Sequence, residues 1–192
     1  MLTLYHAPKS PSSRIVWLLE ELEADYQVEV VSFPHADGSH ADPRNPHPHG
    51  YAPALDHGGN IVTETGAIAL YLTDLFPASG IGIAVGHPLR AQYLTWMFCQ
   101  VGLTEPLVYM QGKKMLERDP AMAYLNAAMM QHIVETLEHS SYLLGERFTS
   151  VDVLFMSLFE QARPLLGAST AIDDYLARAD RPARRRAMLK FG

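Results

Sequence analysis

An α/β domain with a four-stranded mixed sheet, followed by an all-α helical-bundle domain, is the fold class that the sequence predicts. Three observations carry it. Period-two and period-3.6 apolar patterns alternate through the first 77 residues, a Gly-Gly pair separates two short apolar runs, and strand-like patterning stops after His87.

Leu2-Thr3-Leu4-Tyr5-His6 alternates apolar and polar positions and reads as a strand. After a loop with Pro8 and Pro11, Ile15, Leu18, Leu19 and Leu22 recur at helical spacing, with Ser12 or Ser13 available as N-cap. Tyr26 to Val31 returns to period two, completing a parallel βαβ unit. The stretch from Phe33 to Gly50, rich in Pro, His, Gly and Asp, reads as a loop. Ala54-Leu55 and Ile61-Val62 flank Gly58-Gly59, a hairpin signal. Ile68, Tyr71, Leu72 and Leu75 form a second helical stripe that ends at Phe76-Pro77.

Beyond the linker 77–86, one helix is expected from Pro88 to about Gly112 and another from Ala121 to about Leu144, stopped by Gly145. Thr149 and Asp152 have the spacing of a capping box before Leu154, Phe155, Leu158 and Phe159. The expected domains are 1–77 and 87–192.

A hydrophobic fraction of 48% is that of a globular chain rather than a disordered one. No apolar run reaches the roughly 20 residues of a membrane span, and no secretory leader is apparent at the start. The single cysteine, Cys99, forms no intrachain disulfide, which suits a reducing, cytoplasmic setting. It lies in a helical aromatic run and reads as a buried small hydrophobe. A net charge of −6 argues against general nucleic-acid binding. The basic run from Arg181 to Lys190 reads as the solvated face of a short helix.

Two places carry chemistry. Pro53 opens a strand whose ladder it cannot join, and X–Pro bonds alone adopt cis at a cost of only about 0.5–1 kcal/mol. A cis Ala52-Pro53 would present the Ala52 backbone to an extended peptide as an added strand. Glu64-Thr65 falls where the last strand gives way to a helix, whose unpaired amides favour anions. Thr65 can hold a carboxylate there and Glu64 an ammonium. An ammonium and a carboxylate on one carbon beside a short backbone describe the γ-glutamyl end of glutathione. Taken alone, the pair reads more simply as a helix cap and a dipole partner.

LYHAPKSPSSRIVWLLEEL, GYAPAL, TETGAIALYL and FTSVDVLFMSLF, in this order, resemble the glutathione S-transferase family of the bacterial type, and YLARADRPARRRA resembles its closing helices. The resemblance covers nearly the whole chain. It implies a thioredoxin-like first domain in which Ala52 and Pro53 pair with the cysteinyl part of glutathione and Glu64 and Thr65 hold its γ-glutamyl group. Thr65 stands where serine is more common. The resemblance also implies a hydroxyl that activates the thiol. Serine-type members place it four residues before a basic residue in the first helical turn, which is Ser10 here. Tyr5, Ser12 and Ser13 are alternatives, and Lys9 stands where cysteine-type relatives carry their cysteine.

His49 or a neighbour is assigned to the glycyl carboxylate. The run Asn45-Pro46-His47-Pro48-His49-Gly50 carries an extra His-Pro relative to the family, and Tyr51 replaces a usual Gln or Lys. The clustered His35, His40, His47, His49 and His57 match no closed zinc set, so no metal is expected. Trp96, Gln100, Leu103, Thr104 and Tyr109 are candidates to line the pocket for a hydrophobic electrophile, although an aromatic stripe of this spacing is more often core. The implied protein is a cytoplasmic, homodimeric glutathione transferase of detoxification. The alternatives are a glutathione-dependent isomerase or dehalogenase, or a non-catalytic glutathione-binding protein of the same fold.

Overall fold

The computed structural model describes residues 1–34 and 42–191, of Phe191 the backbone only. His35, Asp37 and His40 lie outside the described residues. By contact the chain divides into two compact units, Met1–Gly82 with Arg181–Gly192, and Ile83–Asp180.

In the first unit, β1 (Leu2–His6) pairs in parallel with β2 (Tyr26–Val30) and antiparallel with β3 (Ala54–His57), which pairs antiparallel with β4 (Asn60–Thr63). The order β2-β1-β3-β4 is the expected four-stranded mixed sheet of a thioredoxin-like domain. Gly58 and Gly59 both take positive φ, 62° and 90°, as a two-residue hairpin turn of this hand requires. Helix α1 (Ser12–Glu21) buries Ile15, Leu18 and Leu19 completely, each worth about 1.5–3 kcal/mol. Helix α2 (Thr65–Leu75) buries Ile68 and Leu72, whereas Leu75 is exposed and Tyr71 donates or accepts at His57 Nδ1, 2.7 Å away.

The second unit begins with helix α3 (Arg90–Cys99), a π-helical segment (Gln100–Thr104) and helix α4 (Glu105–Gly112). The sequence pattern predicted a single helix here. Pro106 explains the difference: it has no amide for the Gly102 carbonyl and its ring crowds it, so the ladder widens just before it, with Glu105 N–H reaching back to Gln100. Helix α5 (Pro120–His139) starts at an Asp119 cap and ends before the expected Leu144. Gly145 is not its stop but belongs to the bridged turn Tyr142–Gly145.

Helix α6 (Ser150–Ala162) is the core helix of this unit. Its capping box is present, and Asp152 accepts from Thr149 N–H at 2.8 Å, Leu143 N–H at 3.1 Å and Tyr175 O–H at 3.0 Å. Tyr175 lies on helix α7 (Thr170–Ala177), so one buried carboxylate ties three segments together.

Helix α8 (Pro182–Phe191), which the sequence reading expects in a helical domain 87–192, packs with α1 in the first unit. Arg181 donates to Glu21 at 2.6 and 2.9 Å, Arg186 donates to Glu20 at 2.8 Å, Lys190 pairs with Glu20, and Arg184 lies over the Trp17 ring. The basic run is thus partly solvated, as expected, while Arg181, Arg186 and Lys190 also reach the acids of α1. Among the described residues, no helix is long and apolar enough to cross a membrane.

Candidate functional site

The serine loop joins β1 to α1. The alternation of β1 puts His6 on the face of Leu2 and Leu4, and all three are buried. Ser12 and Ser13 do not cap α1. Ser10 does so from upstream, accepting Ser12 N–H on its hydroxyl at 3.2 Å and Ser13 N–H on its carbonyl at 3.0 Å. This releases the Ser12 hydroxyl, which turns back into the loop. It stands 2.6 Å from Ser10 Oγ, 2.8 Å from His6 Nδ1, and 3.1 Å from both the N–H and the C=O of Ala7. Lys9 arches the loop at φ 59°. Ser10 is 5% exposed at the start of a helix, where the backbone dipole favours negative charge.

Tyr5 points to the other face of β1 and packs on a small cluster of Ala7, Val31 and Ala52. That cluster links the head of the serine loop to the Ala52-Pro53 turn, whose peptide bond is cis. Among the described residues, no partner takes up the Ala52 amide or carbonyl, while Asn45 Nδ2 fixes the preceding Tyr51 carbonyl at 2.9 Å.

Glu64 heads α2 at φ 68°, ψ 124°, a backbone conformation that residues with side chains avoid and that concentrates at ligand sites. Its carbonyl accepts Ile68 N–H at 2.9 Å, so the amides of Thr65, Gly66 and Ala67 are the orphan donors of the helix start. Glu64 is exposed and Thr65 half-buried.

The histidine turn sets its two imidazoles in different surroundings. His49 is exposed, and it is His47 that is buried, its ring against the edge of Tyr51 at 6.2 Å. His49 N–H donates to His47 Nδ1 at 3.1 Å, which leaves the proton of the neutral ring on Nε2. Burial pushes the His47 imidazole below its ordinary value, only partly opposed by the nearby Glu64 carboxylate. The neutral donor form is thereby favoured.

The sequence reading assigns this turn to His49 or a neighbour and does not single out His6. The strand alternation carried a signal for His6, while His47 and His49 look alike until the turn is folded.

The five candidates for a second-substrate pocket, Trp96, Gln100, Leu103, Thr104 and Tyr109, differ widely in burial within the second unit. Trp96 is buried and stacked on His132 at 5.1 Å, Gln100 and Thr104 are fully buried at the two ends of the π-helical segment, Leu103 within it is half-buried, and Tyr109 is exposed. None of them lines the cleft of about 830 Å³ between α5 and α7. Cys99 is half-buried and 3.7 Å from Thr104 Oγ1. Among the described residues, no group of three His, Cys, Asp or Glu side chains is placed to hold a metal ion.

The N-terminal domain family of glutathione S-transferases matches residues 1–74. Over its whole length the chain shares the fold of a glutathione S-transferase from Actinobacillus pleuropneumoniae, at 24% identity with a TM-score of 0.84 and 93% of that chain covered. A glutathione transferase from Methylococcus capsulatus is 25% identical, with a TM-score of 0.83, 100% of this chain and 99% of that chain covered. A sphingomonad glutathione S-transferase complexed with glutathione is 23% identical, with a TM-score of 0.79, 99% of this chain and 98% of that chain covered. Protein LigF of a Sphingobium species is 44% identical over 50 residues, 26% of this chain and only 20% of that protein. Residues 1–74 therefore belong to the N-terminal domain family of glutathione S-transferases, and the chain as a whole has the fold of these enzymes.

Proposed function

We propose that the first unit binds glutathione and lowers the barrier to ionising its thiol, and that the enzyme transfers the thiolate to a hydrophobic electrophile. Ala52 pairs with the cysteinyl backbone beside Pro53. Glu64 takes the ammonium and Thr65, with the first amides of α2, the carboxylate of the γ-glutamyl end. His47 Nε2–H, rather than His49, faces the glycyl carboxylate. Ser10 donates a hydrogen bond to the sulfur. A free thiol, with a pKa of about 8.5, is only a few per cent ionised at neutral pH, so a donor and a helix N-terminus at the sulfur favour the nucleophile.

The observation that carries the reading is the shared cluster of Ala7 and Ala52. It links the serine loop to the Ala52-Pro53 turn, which supports a hydroxyl close to the cysteinyl sulfur. The glutathione complex of the sphingomonad neighbour supports the ligand. The reading extends to a cytoplasmic homodimer acting in detoxification, with exposed apolar residues such as Phe98 and Ile61 available for pairing.

The test is stopped-flow conjugation of glutathione with an activated aryl chloride. Formation of the thioether with loss of chloride and consumption of glutathione is expected. Regeneration of glutathione during an isomerisation would favour the isomerase alternative, and binding without turnover the non-catalytic one.

A further inference from the structure

The serine loop holds more polar chemistry than one thiol donor needs. His6, Ser10 and Ser12 are all buried, and their side chains form a chain: His6 Nδ1 to Ser12 Oγ at 2.8 Å, Ser12 Oγ to Ser10 Oγ at 2.6 Å. Capping does not account for it, since Ser10 alone accepts the first amides of α1.

The Ser12 hydroxyl has one proton and two lone pairs. One lone pair is taken by Ala7 N–H, which can only donate. Two arrangements satisfy the remaining neighbours. In the first, His6 donates from Nδ1 to Ser12, and Ser12 donates to Ser10. Ser10 then accepts from both the hydroxyl and the amide of Ser12, and its own proton remains for a ligand. In the second, every bond reverses: Ser10 donates to Ser12, Ser12 donates to His6 Nδ1, and Ser10 has no proton to give. Sending the Ser12 proton to the Ala7 carbonyl instead, 3.1 Å away, leaves either two lone pairs face to face or three donors on two lone pairs. The direction of the Ser10 hydroxyl is thus set by which nitrogen of His6 carries the proton.

We propose that His6, through Ser12, is a positioning residue for Ser10: as an Nδ1–H donor it turns the hydroxyl chain outward, so that Ser10 donates to a bound thiolate. This rests on the reading that the first unit binds and ionises glutathione. In this arrangement the ring orients the chain and does not take up the thiol proton. A pre-oriented donor needs no reorganisation as negative charge develops on sulfur, which is where such donors act most strongly.

The experiment compares wild type, Ser10→Ala, Ser12→Ala, His6→Phe, His6→Asn and the double variant Ser10→Ala/Ser12→Ala, each as the full chain. Three quantities are read: glutathione affinity by calorimetry, ultraviolet absorbance of bound thiolate at neutral pH, and kcat. Ser12→Ala and His6→Phe are expected to keep the Kd for glutathione within about twofold while thiolate and kcat fall about tenfold. His6→Asn, whose amide can donate from near the Nδ1 position, is expected to restore most of both. In the Ser10→Ala background, Ser12→Ala should cost nothing further, because Ser12 acts only through Ser10.

Unchanged thiolate in Ser12→Ala, or an additive loss in the double variant, would overturn the proposal while leaving the glutathione reading intact. No glutathione binding by wild type would overturn both. If His6→Phe does not fold, Ser12→Ala, which removes a single oxygen atom, carries the test.

Discussion

The guanidinium of Arg186 lies 2.8 Å from the carboxylate of Glu20, a residue 166 positions earlier in the chain. Glu20 is 6% exposed and also meets Lys190 and the hydroxyl of Tyr26. The last helix is therefore held on α1, the helix whose first turn carries the serine loop, by a buried carboxylate that draws in two half-exposed cations.

Glu20→Ala is expected to destabilise the protein by about 1–2 kcal/mol in urea unfolding, because it removes charge-assisted hydrogen bonds from two half-exposed cations and from Tyr26. Burial alone would raise the Glu20 carboxyl, but hydrogen bonds from Lys190, Tyr26 and Arg186 overcome it and hold it at about 2, against 4.5 ordinarily. A depressed value means that the folded form prefers the ionised carboxylate. Its contribution is present above about pH 4.5 and lost as pH falls toward 2. The stability gap between wild type and Glu20→Gln should close over that interval.

Asp152 has the opposite sign. Burial pushes its carboxyl up to about 6, against the pull of bonds from Leu143, Thr149 and Tyr175. The folded form therefore binds the proton more readily than the unfolded one, and this contribution is fully present below about pH 3.8 and lost as pH rises through 6. Wild type should lose stability relative to Asp152→Asn between pH 4 and pH 7, followed by thermal unfolding of both. Asp152→Ala, which orphans several donors at once, is expected to cost about 3 kcal/mol near pH 4 and less as pH rises through 6, in parallel with the change seen against Asp152→Asn.

At the serine loop, Ser10→Ala is expected to lower kcat about 10- to 100-fold with glutathione affinity retained. Tyr5→Phe should stay within about threefold of wild type, since its ring packs on the cluster of Ala7, Val31 and Ala52. Steady-state kinetics paired with calorimetry separates the two residues.

In the histidine turn, His47→Leu is expected to weaken glutathione binding about tenfold by removing the Nε2–H donor, whereas His49→Ala should change it less than about twofold. Titration calorimetry of both variants decides which imidazole meets the ligand. Equal losses, or a larger loss in His49→Ala, would contradict the assignment of His47.

Local patterns carried much of this structure. The alternation in Leu2-Thr3-Leu4-Tyr5-His6, the Ile15/Leu18/Leu19 stripe and the Gly58-Gly59 turn are near-neighbour signals, and the elements they predict are present. The Thr149/Asp152 box is equally local and is present too. The π-helical segment before Pro106 was hidden because an apolar stripe has nearly the same spacing in either helix. The end of α5 at His139 was hidden because no glycine marks it; Ser140 leaves the helix in an extended conformation and bonds the Thr136 and Tyr142 carbonyls instead. The place of α8 rests on pairing between Glu20 and Arg186, and no local pattern records a contact between residues so far apart. At the site, Ala52-Pro53, Glu64-Thr65 and Ser10 stood out as motifs, whereas the polar chain behind Ser10 depends on how the loop folds back.

The central claim, that the first unit binds glutathione and holds its sulfur as a thiolate, is tested most directly by titrating the full chain with glutathione at neutral pH while following heat and ultraviolet absorbance together. Saturable binding below millimolar glutathione, with thiolate absorbance that appears in wild type and is lost in Ser10→Ala, is the expected result. Absence of binding at millimolar glutathione, or binding with no thiolate, would contradict the account.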